Sequence, residues 1–201
     1  LTKIDSLGNQ NWVYYSTTNE DWSGALGGVV VNDADEIVFG TGKGTSYVSG
    51  GNEYTKWDWC VTKMDKNRKI LWRTFFNPFS YISVEGATNL WKMIQLRDKS
   101  GYISVGKSTD TSGFVTYPGW VIKVSENGDS LWSRVYNFDT WKAEYWLRDV
   151  KEDKQGNLIM VGEINDNYIK NGRQYGWMIK ADKYGCIVPG CHTVSTQEGA
   201  I

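Results

Sequence analysis

The chain has 201 residues and a formal net charge of −1, with 22 basic and 23 acidic side chains interspersed along it. This balance argues against a nucleic-acid-binding protein, which needs a basic stripe to neutralise phosphates. No apolar run approaches the ~20 residues of a membrane-spanning helix, and no signal peptide is recognisable. The composition, with 11 Trp, 12 Tyr and 22 Gly, favours an all-β protein.

A motif recurs about every 60 residues along the chain. Four lysines stand at intervals of 60, 60 and 57 residues: Lys3, Lys63, Lys123 and Lys180. A tryptophan stands nine residues after each of the first three: Trp12, Trp72 and Trp132. The segments "DEIVFGTG", "GYISVGKS" and "GNLIMVGE" also recur, and a glycine is predicted to hold the same place in each: Gly40, Gly106 and Gly162. Agreement among several offsets indicates an internal repeat.

The middle repeat shows how each unit is expected to fold. Strands are predicted at 90–97, 102–108, 119–125 and 130–136, separated by the turns "DKSG" and "ENGD" and by one longer polar loop. Alternation of apolar and polar residues, with Asn, Asp and Gly at the turns, is typical of antiparallel hairpins. Four antiparallel strands in a repeat of this length predict the blade of a β-propeller. The recurring tryptophan then lies on the outer strand, where its ring can cover the seam between neighbouring sheets.

The repeats also set the predicted domain boundaries. Residues 1–16 supply a strand end and an outer strand, and blades are predicted at about 24–77, 88–137 and 144–191. The third blade lacks an outer strand, because Pro189 and Gly190 stand where the tryptophan is expected. Residues 192–201 are predicted to be a tail or linker. Since propellers have roughly four to eight blades, we expect this chain to be the C-terminal part of a longer propeller.

The composite of "GWVIKVSENGDSLW" with the recurring glycine segment resembles the propeller repeats of secreted Bacteroidetes proteins, many of them exported by type IX secretion. The stretch "DKYGCIVPGC" (182–191) is similar to the ends of such propellers, shortly before a C-terminal sorting domain. The resemblance covers essentially the whole chain. It implies an extracytoplasmic protein, secreted or on the outer-membrane surface, with type IX components as partners through a sorting domain that is missing here. The Asp, Gly and Trp spacings of sialidase and quinoprotein repeats do not fit, so no cofactor is expected.

The exported context implied by this resemblance favours a disulfide between Cys186 and Cys191. Zinc bound by these two cysteines and His192 is the alternative, although the spacing lacks the usual paired pattern. The single histidine, His192, is expected to be an exposed tail residue, and Cys60 a buried thiol outside any disulfide. The tripeptide "DSL" at 5–7 and 129–131 resembles the sequence that Bacteroidetes O-glycosylate, which makes Ser6 and Ser130 candidates, Ser6 being expected to be the more accessible.

Candidate binding residues lie in or beside the loops that enter each blade, because propeller strands are occupied by packing between blades and loops carry recognition. They combine carboxylates with flat aromatic rings: Asp21, Glu85, Glu144, Trp22, Trp57 and Trp141. Trp91 and Trp146 fall at strand starts and are expected to pack in the core. The sequence therefore predicts a non-enzymatic module that binds glycan or protein, with no metal site. A polysaccharide-active hydrolase that uses the loop carboxylates is the alternative.

Overall fold

A computed structural model of the chain describes residues 1–14, 28–49, 51–76, 89–108, 117–137, 143–166, 172–188 and 191. Over these residues the protein is all-β and contains no α-helix, as the composition predicts. The strands are, in chain order, β1 (Thr2–Ile4), β2 (Gln10–Val13), β3 (Val29–Val31), β4 (Ile37–Ser49), β5 (Asn52–Met64), β6 (Ile70–Phe76), β7 (Asn89–Gln95), β8 (Gly101–Lys107), β9 (Gly119–Ser125), β10 (Ser130–Tyr136), β11 (Glu144–Glu152), β12 (Leu158–Asp166) and β13 (Arg173–Ala181).

The strands form four antiparallel sheets in which each strand pairs with its neighbour in the chain. The first sheet contains β1 and β2, the second β3 to β6, the third β7 to β10 and the fourth β11 to β13. The large sheets fall inside the predicted repeats, and in the described part of the chain the fourth has no outer strand. The described sheets follow one another in chain order and do not close into a ring.

Apolar cores join consecutive sheets. Ile37 and Phe39 of the second sheet pack against Trp12 of the first. The second and third sheets share a larger cluster that includes Val61 and the fully buried Trp120. The third and fourth share another, which includes the fully buried Val105, Val121, Leu147 and Met160. Burial of apolar surface between each pair of sheets stabilises the row, because a single amphipathic sheet cannot bury its own faces.

Each sheet has two distinct ends. At one end of the second and third sheets, which we call the turn end, tight turns connect the first strand to the second and the third to the outer strand; the turn between β11 and β12 is its counterpart in the fourth sheet. Carboxylates cap several of these turns, as when Asp65 accepts hydrogen bonds from the backbone amides of Asn67 and Lys69 at 2.8 and 2.9 Å. Gly128 and Gly185 take the left-handed conformation that such turns require. Arg68 takes it in the second sheet, where the sequence has no glycine.

The recurring tryptophans cover the seams between sheets, as the spacing predicts. Trp72 on β6 of the second sheet donates an indole hydrogen bond of 3.1 Å to the Glu126 carbonyl in a turn of the third sheet. A Cβ atom on Gly128 in that turn would lie only 2.7 Å from Cδ2 of Trp72, so the glycine lets the ring approach. Trp132 packs in the same way over Gly185, a turn residue of the fourth sheet. The interval of nine residues thus places Trp72 and Trp132 against a turn of the next sheet.

A buried ion-pair network also joins the second and third sheets at their turn ends. Lys63, of which 5 % is exposed, pairs with Glu36 at 2.7 Å and with Glu126. Asn32 donates to Glu36 at 2.8 Å. These hydrogen bonds, from Lys63 first and Asn32 second, lower the pKa of the Glu36 carboxyl. Nearby Tyr102 is buried, and burial is the main cause that raises its pKa to about 12.

Strand pairing corrects one equivalence. Gly106 lies opposite Trp120 and Gly162 opposite Trp177, in matching registers. In the second sheet Thr41, not Gly40, holds this place, because Thr41 lies opposite Cys60, the residue at the Trp120 position. The β4–β5 pairing continues without interruption to Ser49 and Asn52. The register is therefore set by this long hairpin and not by Gly40.

The cysteines behave as expected. Cys186 and Cys191 form a disulfide, with Cα atoms 5.5 Å apart, so the zinc alternative is wrong for these two residues. Cys60 is buried outside the disulfide, and its sulfur lies 2.7 Å from the Thr41 hydroxyl. Over the residues described here, no helix is long and apolar enough to cross a membrane.

Candidate functional site

At the end opposite the tight turns, which we call the loop end, the chain enters the first strand of each sheet. Most of the predicted binding residues lie outside the described residues: Asp21, Trp22, Glu85 and Trp141. His192 also lies outside them. Trp57 lies on β5, opposite Gly44, where the β4–β5 hairpin extends beyond β3 and β6. Its side chain lies outside the described part of the structure. Glu144 is half-buried and begins β11.

The described part of the loop end contains a group of cations and aromatic rings, which we call the cation–aromatic cluster. Its members come from the third and fourth sheets: Trp91, Lys107, Tyr117, Trp146 and Arg148. The centroids of the Trp91 and Trp146 rings lie 5.6 Å apart with a tilt of 46°. Both indoles are half-buried. Trp91 and Trp146 were predicted to pack in the core, but both also border a charged surface.

Two cations lie over these rings. The Lys107 ammonium lies 4.5 Å from the Tyr117 ring centroid and 4.6 Å from that of Trp146. The Arg148 guanidinium lies 4.1 Å from the Trp91 centroid and 4.4 Å from that of Trp146. Such distances are within the range of favourable cation–π attraction, worth about 0.5–2 kcal/mol each, with the larger values where water is excluded. The rings thus hold both cations in defined positions.

Burial affects the two cations differently. Lys107 is 8 % exposed, and this burial is the main cause that lowers the pKa of its ammonium; the charge of Arg148 lowers it further, whereas Glu144 raises it. Arg148 keeps an exposed side chain, and its guanidinium forms hydrogen bonds of 3.1 and 2.5 Å to one oxygen of Glu163. The other oxygen of Glu163 accepts a 2.6 Å hydrogen bond from Gln174.

Local backbone geometry brings the two sheets together at this point. The Tyr145 amide donates a 2.6 Å hydrogen bond to the Tyr117 carbonyl, and Tyr117 forms an isolated parallel bridge with Glu144. Gly106 and Gly162 are required here, because a Cβ on either would overlap the carbonyl oxygen of the neighbouring first strand, at Asn89 and Trp146 respectively. The glycine that recurs in the sequence therefore permits close approach of strands beside the cluster.

The chemistry available at this cluster favours binding. Both carboxylate oxygens of Glu163 accept hydrogen bonds, one from Arg148 and the other from Gln174. The described residues also contain no group of three or more His, Cys, Asp or Glu able to hold a metal ion. Positioned cations beside half-buried indoles suit recognition of acidic or carbonyl groups.

Sequence reasoning placed its predicted binding residues at the loop end and did not include the cations there. Lys107 directly follows the recurring Gly106, and Arg148 follows Trp146 by two residues, so both stood beside elements already recognised. The useful signal was their closeness in sequence to Gly106 and Trp146: Lys107 ends β8, and Arg148 lies in the middle of β11. Both glycosylation candidates, Ser6 in a turn and Ser130 at the start of β10, are exposed; the expected difference in their accessibility is not observed.

Comparison with known proteins adds no family: no protein-family model matches the chain, and no curated protein matches it significantly.

Proposed function

We propose that this chain is a segment of a β-propeller that acts, without catalysis, as an extracytoplasmic binding module for glycan or protein. Support for the propeller comes from four consecutive antiparallel sheets that pack in chain order, with Trp72 and Trp132 placed alike at successive seams. The Cys186–Cys191 disulfide supports an oxidising, extracytoplasmic location. Secretion through the type IX system, and the Bacteroidetes origin that the repeats resemble, remain part of the proposal.

The observation that carries the binding role is the cation–aromatic cluster at the loop end. Trp91 and Trp146 offer rigid, flat, half-buried surfaces, which are common anchors in both sugar and protein recognition. Arg148 is held over both rings and keeps about 40 % of its side chain exposed, so its remaining donors face solvent. An arginine fixed in this way loses little side-chain entropy when it binds a carboxylate, sulfate or carbonyl group.

A glycan array that includes neutral and acidic oligosaccharides tests this role. We expect the wild-type chain to bind a subset of glycans and R148A to lose at least about tenfold in affinity, while unfolding stability falls by about 1–2 kcal/mol because two partly exposed cation–π contacts and the Arg148–Glu163 pair are lost. R134A, an arginine on β10 that lies outside the cluster, is the matched control and should bind as wild type.

The double variant W141A/E144A tests the predicted loop residues and is expected to weaken binding with little change in melting temperature. A large fall in melting temperature would instead place these residues in the core. Release of reducing sugar from polysaccharides by the wild-type chain would favour the hydrolase and contradict the binding proposal. Equal binding by wild type and R148A would remove the cluster from the binding surface.

A further inference from the structure

A cavity of about 330 Å³ opens between the third and fourth sheets at their turn ends, away from the cation–aromatic cluster. Its apolar lining includes Leu96, Ile103 and Leu158. Its cationic lining consists of Arg97, Lys123, Lys154 and Lys183, and its acids are Asp98, Glu152 and Asp153. The volume is at the lower end of the range of small-ligand pockets.

The equivalent place at the preceding seam is filled. There Lys63 pairs with Glu36 of its own sheet and with Glu126 from the turn of the following sheet. The ring of Tyr102, 1 % exposed, packs in the same seam against Trp72, with centroids 6.5 Å apart. Charge neutralisation and a bulky ring therefore close the seam between the second and third sheets.

Each of these groups is replaced at the cavity. In the second sheet Lys63 pairs with Val38, and in the third Lys123 pairs with Ile103. Glu36 and Gly101 each lie two residues before these partners, so Gly101 is the equivalent of Glu36. In the fourth sheet the repeat lysine, Lys180, pairs with Ile159. Leu158 comes directly before Ile159, as Tyr102 comes directly before Ile103, so Leu158 is the equivalent of Tyr102. Three residues after the repeat lysine, Lys183 stands where the third sheet has Glu126. Two carboxylates and a phenol are thus exchanged for a glycine, an ammonium and a smaller side chain.

Each acid that lines the cavity already accepts hydrogen bonds from protein groups. Glu152 accepts a 2.7 Å hydrogen bond from the Arg97 amide of the third sheet. Asp153 accepts hydrogen bonds from two backbone amides and a side-chain amide of its own turn, and also pairs with Lys180 at 3.2 Å. Asp98 accepts a 2.9 Å hydrogen bond from the Ser100 amide; hydrogen bonds with Ser100, and to a smaller extent the charge of Lys123, lower the pKa of the Asp98 carboxyl.

The two lysines are in a different situation from these acids. Neither Lys123 nor Lys183 has a carboxylate oxygen of the described ranges within 4 Å of its ammonium, although Lys123 lies near enough to Asp98 to lower the pKa of that carboxyl, and the Lys183 ammonium lies 5.1 Å from the Tyr184 ring centroid. Both nevertheless line the same cavity, where two like charges near one another repel unless an anion lies between them.

We propose that this cavity binds a compact oxyanion, such as a sulfate, phosphate or carboxylate group, held between Lys123 and Lys183. The anion takes the place that the Glu126 carboxylate occupies beside Lys63 at the preceding seam, and so it completes the seam between the third and fourth sheets. The group is either a free ion or the acidic substituent of a larger ligand such as an acidic sugar.

Equilibrium dialysis with radiolabelled sulfate at fixed ionic strength tests the proposal. We expect saturable binding by the wild-type chain and a loss of at least about tenfold in affinity in K183E, because the new carboxylate pairs with Lys123 as Glu126 pairs with Lys63. K183M, which removes the charge without adding an acid, should also weaken binding. K66E makes the same substitution at the equivalent repeat position of the second sheet, outside the cavity, and should bind as wild type.

Competition then separates the two sources of the oxyanion. Displacement of sulfate by phosphate with equal or greater strength than by glucuronate supports a free-ion site, and stronger displacement by glucuronate supports an acidic sugar. Glucose should not compete. Absence of saturable sulfate binding, or equal binding by wild type, K183E and K183M, would overturn the proposal. The cluster at the loop end is untouched by these variants, so the result is independent of the R148A experiment.

Discussion

Replacement of Trp72 by alanine should be one of the most costly single substitutions at the seam between the second and third sheets. The indole is half-buried, so about 100–150 Å² of its surface is removed from water, which at about 25 cal/mol per Å² amounts to about 3 kcal/mol. Loss of the hydrogen bond to the Glu126 carbonyl adds about 1 kcal/mol. We therefore expect W72A to lower the free energy of unfolding by about 4 kcal/mol.

Urea unfolding followed by far-ultraviolet circular dichroism measures this loss, since the remaining tryptophans would confuse a fluorescence signal. L71A is the matched control: Leu71 is the preceding residue of β6 but is 44 % exposed, so its truncation should cost about 1 kcal/mol or less. W72F retains an aromatic ring without the indole donor and should fall between the two. A loss in W72A no larger than that in L71A would refute the assignment of Trp72 to the seam.

Two further predictions concern stability. K63M should lower the free energy of unfolding by about 2–3 kcal/mol, and urea titration measures this loss. The loss is smaller than for a fully buried ion pair because both carboxylates are partly exposed. The folded-state pKa of Glu36 lies below its usual 4.5, so the ionised carboxylate stabilises the fold above that value. This stabilisation is lost as pH falls through the lowered pKa. K63M should therefore lose less free energy of unfolding on acidification than wild type does. A C186S/C191S variant should lose only about 2 kcal/mol, since the bridge spans five residues, and thermal melting of reduced and oxidised protein checks this.

The seams have different compositions, and this difference bears on function. The seam between the second and third sheets is closed by Lys63, its two carboxylates and Tyr102. The next seam retains the packing of Trp132 on Gly185 but opens into a cavity where those polar partners are replaced. Repetition of the stacking elements therefore maintains the row of sheets, while substitution at a few seam positions can create a site.

Much of the fold could be read from the sequence because its determinants are local. Alternation of side chains and turn residues such as Gly128 predicted the strands of the third sheet to within one or two residues. The interval from lysine to tryptophan predicted that Trp72 and Trp132 would lie at seams, since a hairpin of fixed length carries a residue to a fixed place. The disulfide between Cys186 and Cys191 followed from a resemblance that implied export.

Only the tertiary structure decided which side chains meet across the sheets. Trp91 and Arg148 are 57 residues apart in the chain, and Lys63 and Glu126 are 63 apart; each pair meets because separate sheets stack, and no local pattern encodes that encounter. The same holds for Thr41, which takes the place expected for Gly40 because a long hairpin sets the register. Local periodicity thus determined the strands and their faces, whereas packing between sheets determined the sites, because charge and volume at a seam depend on residues from two repeats at once.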